Sequence, residues 1–212
     1  MRAKKSIHPF LFTWAAFTVV LLLAVLGTDQ LDLHRIMHAY TSLGADRFFA
    51  TITHLADGLV PTALSVILLF MVSMRAFLMM GLSCGLSAIA VQILKRVFAY
   101  DRPYMFKDRL GDLPWVEGME LHHHLSFPSG HATAAFSMCF ALAILVDRGT
   151  WSLVLGVLAA VLAYSRVYLS QHFTEDILAG AALGTLIAHG VYLWLDHTSM
   201  KDKAWLRWRP FN

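Results

Sequence analysis

Residues 58–94 read GLVPTALSVILLFMVSMRAFLMMGLSCGLSAIAVQIL, and their only charge is Arg75. A helix needs about 20 apolar residues to cross the roughly 30 Å hydrocarbon core of a bilayer. The stretch therefore divides at Arg75 into two spans, 58–74 and 76–94. Outward from it, residues 9–27 form a third uncharged run, and the apolar part of 176–195 is interrupted only by His189. The apolar runs 132–146 and 150–164 are shorter, and each draws on flanking residues, such as Ser126–His131, to complete the spans 128–146 and 150–166. Strands of a membrane barrel would alternate apolar and polar residues over about ten positions, and none of these runs does. The expected fold is all-α: a polytopic membrane protein with six transmembrane helices in one membrane domain, residues 1–212.

Composition agrees. The chain has 212 residues, 58% of them apolar and 15% charged, with a mean hydropathy of +0.59. A soluble domain runs nearer half apolar and a quarter charged, and disorder has the opposite signature. Arg2, Lys4 and Lys5 precede the first run as they would in a signal peptide. That run is too long for an h-region and lacks a convincing cleavage site, so it reads as a retained first helix. Cys84 and Cys139 both fall inside spans, which argues against a disulfide framework.

With the N-terminus inside, the inner segments hold nine basic residues (Arg2, Lys4, Lys5, Arg75, Arg148, Lys201, Lys203, Arg207, Arg209) against three acidic ones. The outer segments hold eight basic and eleven acidic residues. This bias places both termini in the cytoplasm. It also explains the isoelectric point near 9.0 by inner-leaflet charge, so no nucleic-acid partner is expected. Trp205 and Trp208, among Lys203, Arg207 and Arg209, read as an interfacial anchor for the tail.

The polar residues that carry chemistry gather where spans begin or end at the outer face. Lys95 closes the third span, and Arg102-Pro103 follows seven residues later, about two helical turns if the helix continues. Ser129-Gly130-His131 opens the fourth span and Arg166 closes the fifth. His172 and Asp176 are spaced i, i+4, one above the other on a helix. Lys95, Arg102 and Arg166 can balance a phosphate, arginine with bidentate geometry. The backbone N–H groups at Ser129 and Gly130 lie at the positive end of a helix, where glycine lets a ligand approach closely. His172 with Asp176 has the form of a nucleophile held by an orienting carboxylate. His131 suits a general acid.

The pattern Lys95-x6-Arg102-Pro103, Pro128-Ser129-Gly130-His131 and Ser165-Arg166-x5-His172-x3-Asp176 resembles the three-part signature of the type 2 phosphatidic acid phosphatase family. The resemblance implies a bacterial, metal-independent lipid phosphatase with no cofactor. It also implies a phosphohistidine on His172, His131 as acid, and an active site opening to the periplasm or cell exterior from the inner (plasma) membrane. Vanadium haloperoxidases share this pocket but are soluble. The implied substrate is a lipid phosphate or diphosphate: undecaprenyl diphosphate, phosphatidylglycerophosphate, phosphatidic acid or a lipid A phosphate. The first and last of these are favoured. A lipid phosphotransferase and a non-catalytic lipid-phosphate carrier are the alternatives, and the oligomeric state is open.

Other features have plainer readings. His122-His123-His124 reads as a solvated loop or headgroup contact, and His189 as a structural histidine too deep to join the site. Arg96 points to lipid headgroups. Tyr100 and Tyr104 are candidates for the entrance. Residues 28–57 suggest a short amphipathic helix at the outer interface. Gly81-x-x-x-Gly85 and Gly180-x-x-x-Gly184 would allow close helix approach.

Overall fold

The structure, a computed structural model, describes residues 5–210. Arg2 and Lys4 lie outside the described residues, and so does the side chain of Lys5. Among the described residues there is no strand. The chain runs through α1 (His8–Gly27), α2 (Gln30–His38), α3 (Leu43–Ile52), α4 (Leu59–Met71), α5 (Met74–Phe98), α6 (Lys107–Leu110), α7 (Gly130–Val146), α8 (Gly149–Tyr168) and α9 (Thr174–His197), with short 3-10 turns between some of them.

By length and composition, α1, the helix that begins at Met74, α8 and α9 can each cross a membrane. The expected run 58–74 is shorter than drawn, because α4 has only 13 residues. Pro61 lacks an N–H and fits only the first turn of a helix, which sets where α4 starts. Before it, α3 and the turn Thr53–Ala56 form a second apolar rod, bent by 49° from α4, and the two together make a fifth candidate span. The 17 residues of α7 cover about 26 Å. Residues 28–57 hold two helices rather than one. The Asp29 carboxylate accepts from Leu31 N–H at 2.9 Å and so caps α2, and Ser42 Oγ accepts from Ala45 N–H at 3.3 Å at the start of α3.

The centre of the molecule is α7. It packs on α8 and α9 above all, and also on α5. Ala132, Phe136, Cys139 and Phe140 on α7 are fully buried, and Phe10 of α1 closes over Phe136 and Phe140 with edge-on rings. Gly180 and Gly184 make the α7–α9 contact possible. A Cβ on Gly180 would lie 2.7 Å from the Ser129 carbonyl oxygen, and one on Gly184 would lie 2.3 Å from that of Thr133. Gly81 and Gly85 behave differently: a Cβ on Gly85 would meet nothing within 4 Å. These two glycines line a cavity of about 610 Å³ between α4, α5 and α7.

Both cysteines are free. His189 packs between the rings of Phe140 and Tyr192 in the interior of the bundle. At the opposite end of the bundle from the charged cluster described next, Arg75 pairs with Asp196. There Trp208 accepts from Met74 N–H through its carbonyl at 2.9 Å, which docks the tail.

Candidate active site

The fold collects all eight expected residues at one end of the bundle. α5 ends at Phe98, where Ala99 turns left-handed (φ 49°). Arg102 is therefore brought back by extended chain and not by two further helical turns. Its Nε donates to His124 O at 3.0 Å, and its Nη1 donates to Gln171 O at 3.2 Å and to Gln171 Oε1 at 3.3 Å. Lys95 donates to Leu125 O. At the head of α7, Ser129 Oγ accepts from Ala132 N–H at 3.3 Å, and the Ser129 N–H donates to Asp176 O at 3.0 Å, which ties α7 to α9. Gly130 and His131 both line the cavity between α4, α5 and α7.

At the end of α8 the chain turns sharply, and the N–H groups of Gln171 and His172 both donate to Arg166 O, at 2.8 and 3.1 Å. That places His172 and Arg166 side by side. His172 Nδ1 lies 3.2 Å from Asp176 Oδ2. The same oxygen accepts from Ser126 Oγ at 2.5 Å and from Phe173 N–H at 2.9 Å. A carboxylate oxygen is acceptor-only, so His172 Nδ1 carries its hydrogen and Nε2 is left free.

Lys95, Arg102, Arg166, His172 and Asp176 are all buried. Burial first, and then Arg102, Arg166 and Lys95 around the ring, hold the His172 imidazole well below its ordinary value of 6.5. The ring is neutral at physiological pH, with its Nε2 lone pair available. Burial likewise lowers Arg102, against the pull of Asp176. Three buried cations thus face one buried carboxylate, an imbalance that is costly unless an anion enters. Arg166 Nε is a buried donor with no hydrogen-bond partner. The arrangement can bind a dianionic phosphoryl group against a neutral imidazole.

The loop His122–Leu125 contributes to this end of the molecule as more than solvated chain. Its carbonyls hold Arg102 and Lys95, and Arg102 N–H donates to His123 O at 2.8 Å. The His123 ring packs on Tyr104, which also packs on Trp115, so Tyr104 props the loop. Tyr100 packs on Phe127 beneath it. Above the turn that carries His172, His34 of α2 lies edge-on to Phe173 and 3.2 Å from Ser170 Oγ.

Three partners were not anticipated. Ser126 bonds Asp176, Thr53 Oγ1 accepts from Arg166 Nη1 at 3.0 Å, and Asp57 Oδ1 lies 2.7 Å from His131 Nε2. Only Ser126 was close enough to a recognised motif, two residues before Pro128, to have been suspected.

These features define a bundle of apolar helices with a cluster of buried cations at one end, and the PAP2 superfamily model matches residues 74–199. The chain belongs to this superfamily. It is 29% identical to an undecaprenyl-diphosphatase of Sulfolobus acidocaldarius, over 58% of this chain and 57% of that protein. It is 29% identical to a lipid A 4'-phosphatase of Porphyromonas gingivalis, over 49% of this chain and 44% of that one. The matched part is thus about half the length of these curated relatives. The crystal structure of Aquifex aeolicus LpxE is similar with a TM-score of 0.68 and 26% identity, covering 77% of this chain and 94% of that one. The relatives are named phosphatases, which supports reading this chain as a phosphoric ester hydrolase.

Proposed function

We propose that this protein is an integral membrane phosphatase that hydrolyses a lipid phosphate monoester or lipid diphosphate through a phosphohistidine. The observation that carries the reading is the buried, neutral His172 held by Asp176 among Lys95, Arg102 and Arg166. His172 Nε2 attacks phosphorus. Lys95, Arg102, Arg166 and the Ser129–Gly130 backbone take the charge that the transition state spreads over three equatorial oxygens, and His131 protonates the leaving oxygen. Water then releases phosphate from His172, and the reaction as written uses no metal.

The cavity between α4, α5 and α7 begins at His131 and Asp57 and is lined further in by Leu78, Gly81, Leu82 and Cys84. It takes a lipid chain with the phosphate at its mouth. The two relatives' names and the apolar cavity support a polyprenyl diphosphate or a lipid A phosphate as substrate. The whole chain forms one membrane domain. In that reading α1, the bent α3–α4 rod, α5, α7, α8 and α9 make six spans, the termini are cytoplasmic, and the site faces the periplasm of a bacterial inner membrane.

The test is phosphate release by detergent-solubilised protein, with EDTA present, from undecaprenyl diphosphate, lipid A, phosphatidylglycerophosphate and phosphatidic acid, beside His172→Ala. Cleavage of one lipid by the wild type and none by the variant is the expected result. Binding without release would instead favour a carrier.

A further inference from the structure

The nucleophile has its carboxylate within its own motif, four residues away; the acid has one too, but it comes from the other side of the molecule. His131 Nε2 lies 2.7 Å from Asp57 Oδ1, 74 positions apart in sequence. Asp57 stands at the break between the turn Thr53–Ala56 and α4, outside residues 74–199, which the superfamily model covers. We propose that Asp57 is the positioning residue of His131, holding its Nε2 so that Nδ1 delivers the proton to the leaving group. This rests on the reading of His131 as general acid.

Three observations set this pair apart from a surface ion pair, which would be worth little. First, the carboxylate is braced from both sides, because its Oδ2 lies 2.8 Å from His54 Nδ1. Second, the same short segment reaches a second member of the site: Thr53 Oγ1 accepts from Arg166 Nη1 at 3.0 Å and from Ser165 Oγ at 3.1 Å. Residues 53–57 therefore act as one strut against both a phosphate-binding cation and the acid. Third, Asp57 and His131 both line the apolar cavity that the proposed function gives to the lipid chain.

The steps balance. As His172 Nε2 bonds to phosphorus and the ester P–O bond breaks, the Nδ1 proton of the His131 imidazolium moves to the leaving oxygen. The ring is left neutral, keeping its Nε2 hydrogen, which Nε2 donates to the Asp57 carboxylate. In the second step water gives a proton to His131 Nδ1 as its oxygen bonds to phosphorus, and the P–N electron pair returns to His172. The geometry is the catalytic-triad logic applied to an acid, with the carboxylate fixing tautomer and direction.

The experiment compares wild type, Asp57→Asn, Asp57→Glu, His131→Ala and the Asp57→Asn/His131→Ala double variant on an alkyl phosphate and on a nitrophenyl phosphate, with melting in detergent as the folding control. Asp57→Asn is expected to lower kcat at least about tenfold more on the alkyl ester than on the aryl ester, within the range that proton transfer contributes. KM should be unchanged, and Asp57→Glu, which keeps the charge, should recover part of the loss. In the His131→Ala background, Asp57→Asn should cost nothing further on the alkyl ester. Equal losses on both esters, or losses that add to those of His131→Ala, would overturn the proposal. So would an unaffected Asp57→Asn beside a His131→Ala that is selective for the alkyl ester. If Asp57→Asn fails to fold, a folded Asp57→Ala that loses activity equally on both esters, or loses none, does the same. A His131→Ala variant that is itself unselective refutes the acid reading, a distinct failure.

Discussion

The seam between α7 and α9 and the flank between α4 and α5 each carry glycines four residues apart, and the two sides use them in opposite ways. At the seam, Gly180 and Gly184 let backbones touch, because any Cβ would strike the Ser129 or Thr133 carbonyl. This is the close-approach use of small residues between membrane helices. On the flank, a Cβ on Gly85 would meet nothing within 4 Å and one on Gly81 would come no nearer than 3.8 Å to Ser65, and both glycines line the cavity, which leaves space for a guest. The proposed nucleophile His172 and its partner Asp176 sit on the tightly packed side, where the Ser129 N–H bond to Asp176 O fixes the head of α7 against α9. The apolar cavity sits on the looser side. Phosphoryl transfer depends on groups held in place, whereas lipid chains need room, and the bundle divides the two demands between its halves.

The largest effect that would break this comparison lies on the packed side. His172→Ala should lower turnover on the order of 10^4-fold or more, with little change in melting temperature. A modest loss would mean that the packed half does not hold the nucleophile. Next, Gly184→Ala should destabilise the protein by about 1–3 kcal/mol or more through overpacking. Gly85→Ala on the flank should be neutral or stabilising by up to about 1 kcal/mol, since alanine favours helix. Thermal melting in detergent would show the contrast, and equal shifts would erase it. On the flank alone, Gly85→Leu should raise KM for long-chain lipid phosphates while leaving a short-chain phosphate unaffected, measured as KM against chain length.

The remaining effect concerns pH. Burial, with His38 adding to it, lowers His34 to about 3, and His172 is lowered too. The unfolded chain takes up a proton at each of these rings below about 6.5 while the folded one does not. Stability is therefore highest above that pH and declines as pH falls towards 3, by up to about 1.4 kcal/mol per pH unit for each ring. Melting temperatures measured from pH 7.5 to 5 should fall, and His34→Gln should flatten the slope. An unchanged slope would mean that α2 does not stay packed over the turn that carries His172.

How much of this was legible in the sequence follows from chain distance. Ser129-Gly130-His131 and His172-x3-Asp176 are local patterns whose members the structure does bring together, but α9 begins only at Thr174, so His172 reaches Asp176 from the turn before the helix and not along one helical face as the i, i+4 spacing suggested. The route from Lys95 to Arg102 was hidden, because α5 stops at an alanine in left-handed conformation, and alanine carries no turn signal. Asp57 and Thr53 read as loop residues, since their partners are more than 70 positions away and no local period points to them. The early end of α4 was masked because hydropathy sees the composition of 58–74 but not the break at Val72-Ser73 before α5, and the charges of Asp46, Arg47 and Asp57 kept residues 43–56 from reading as part of the same span. The two glycine pairs looked alike in sequence, and only the presence or absence of a neighbouring carbonyl separates them.

The most direct test of the central claim is chemical trapping of the intermediate. The protein would be quenched during turnover of a radiolabelled lipid phosphate, kept at alkaline pH where phosphohistidine survives, and mapped by mass spectrometry. The account predicts phosphate on the peptide containing His172, absent in His172→Ala. A label on another residue, or steady turnover by a fully active enzyme that never labels His172, would contradict it.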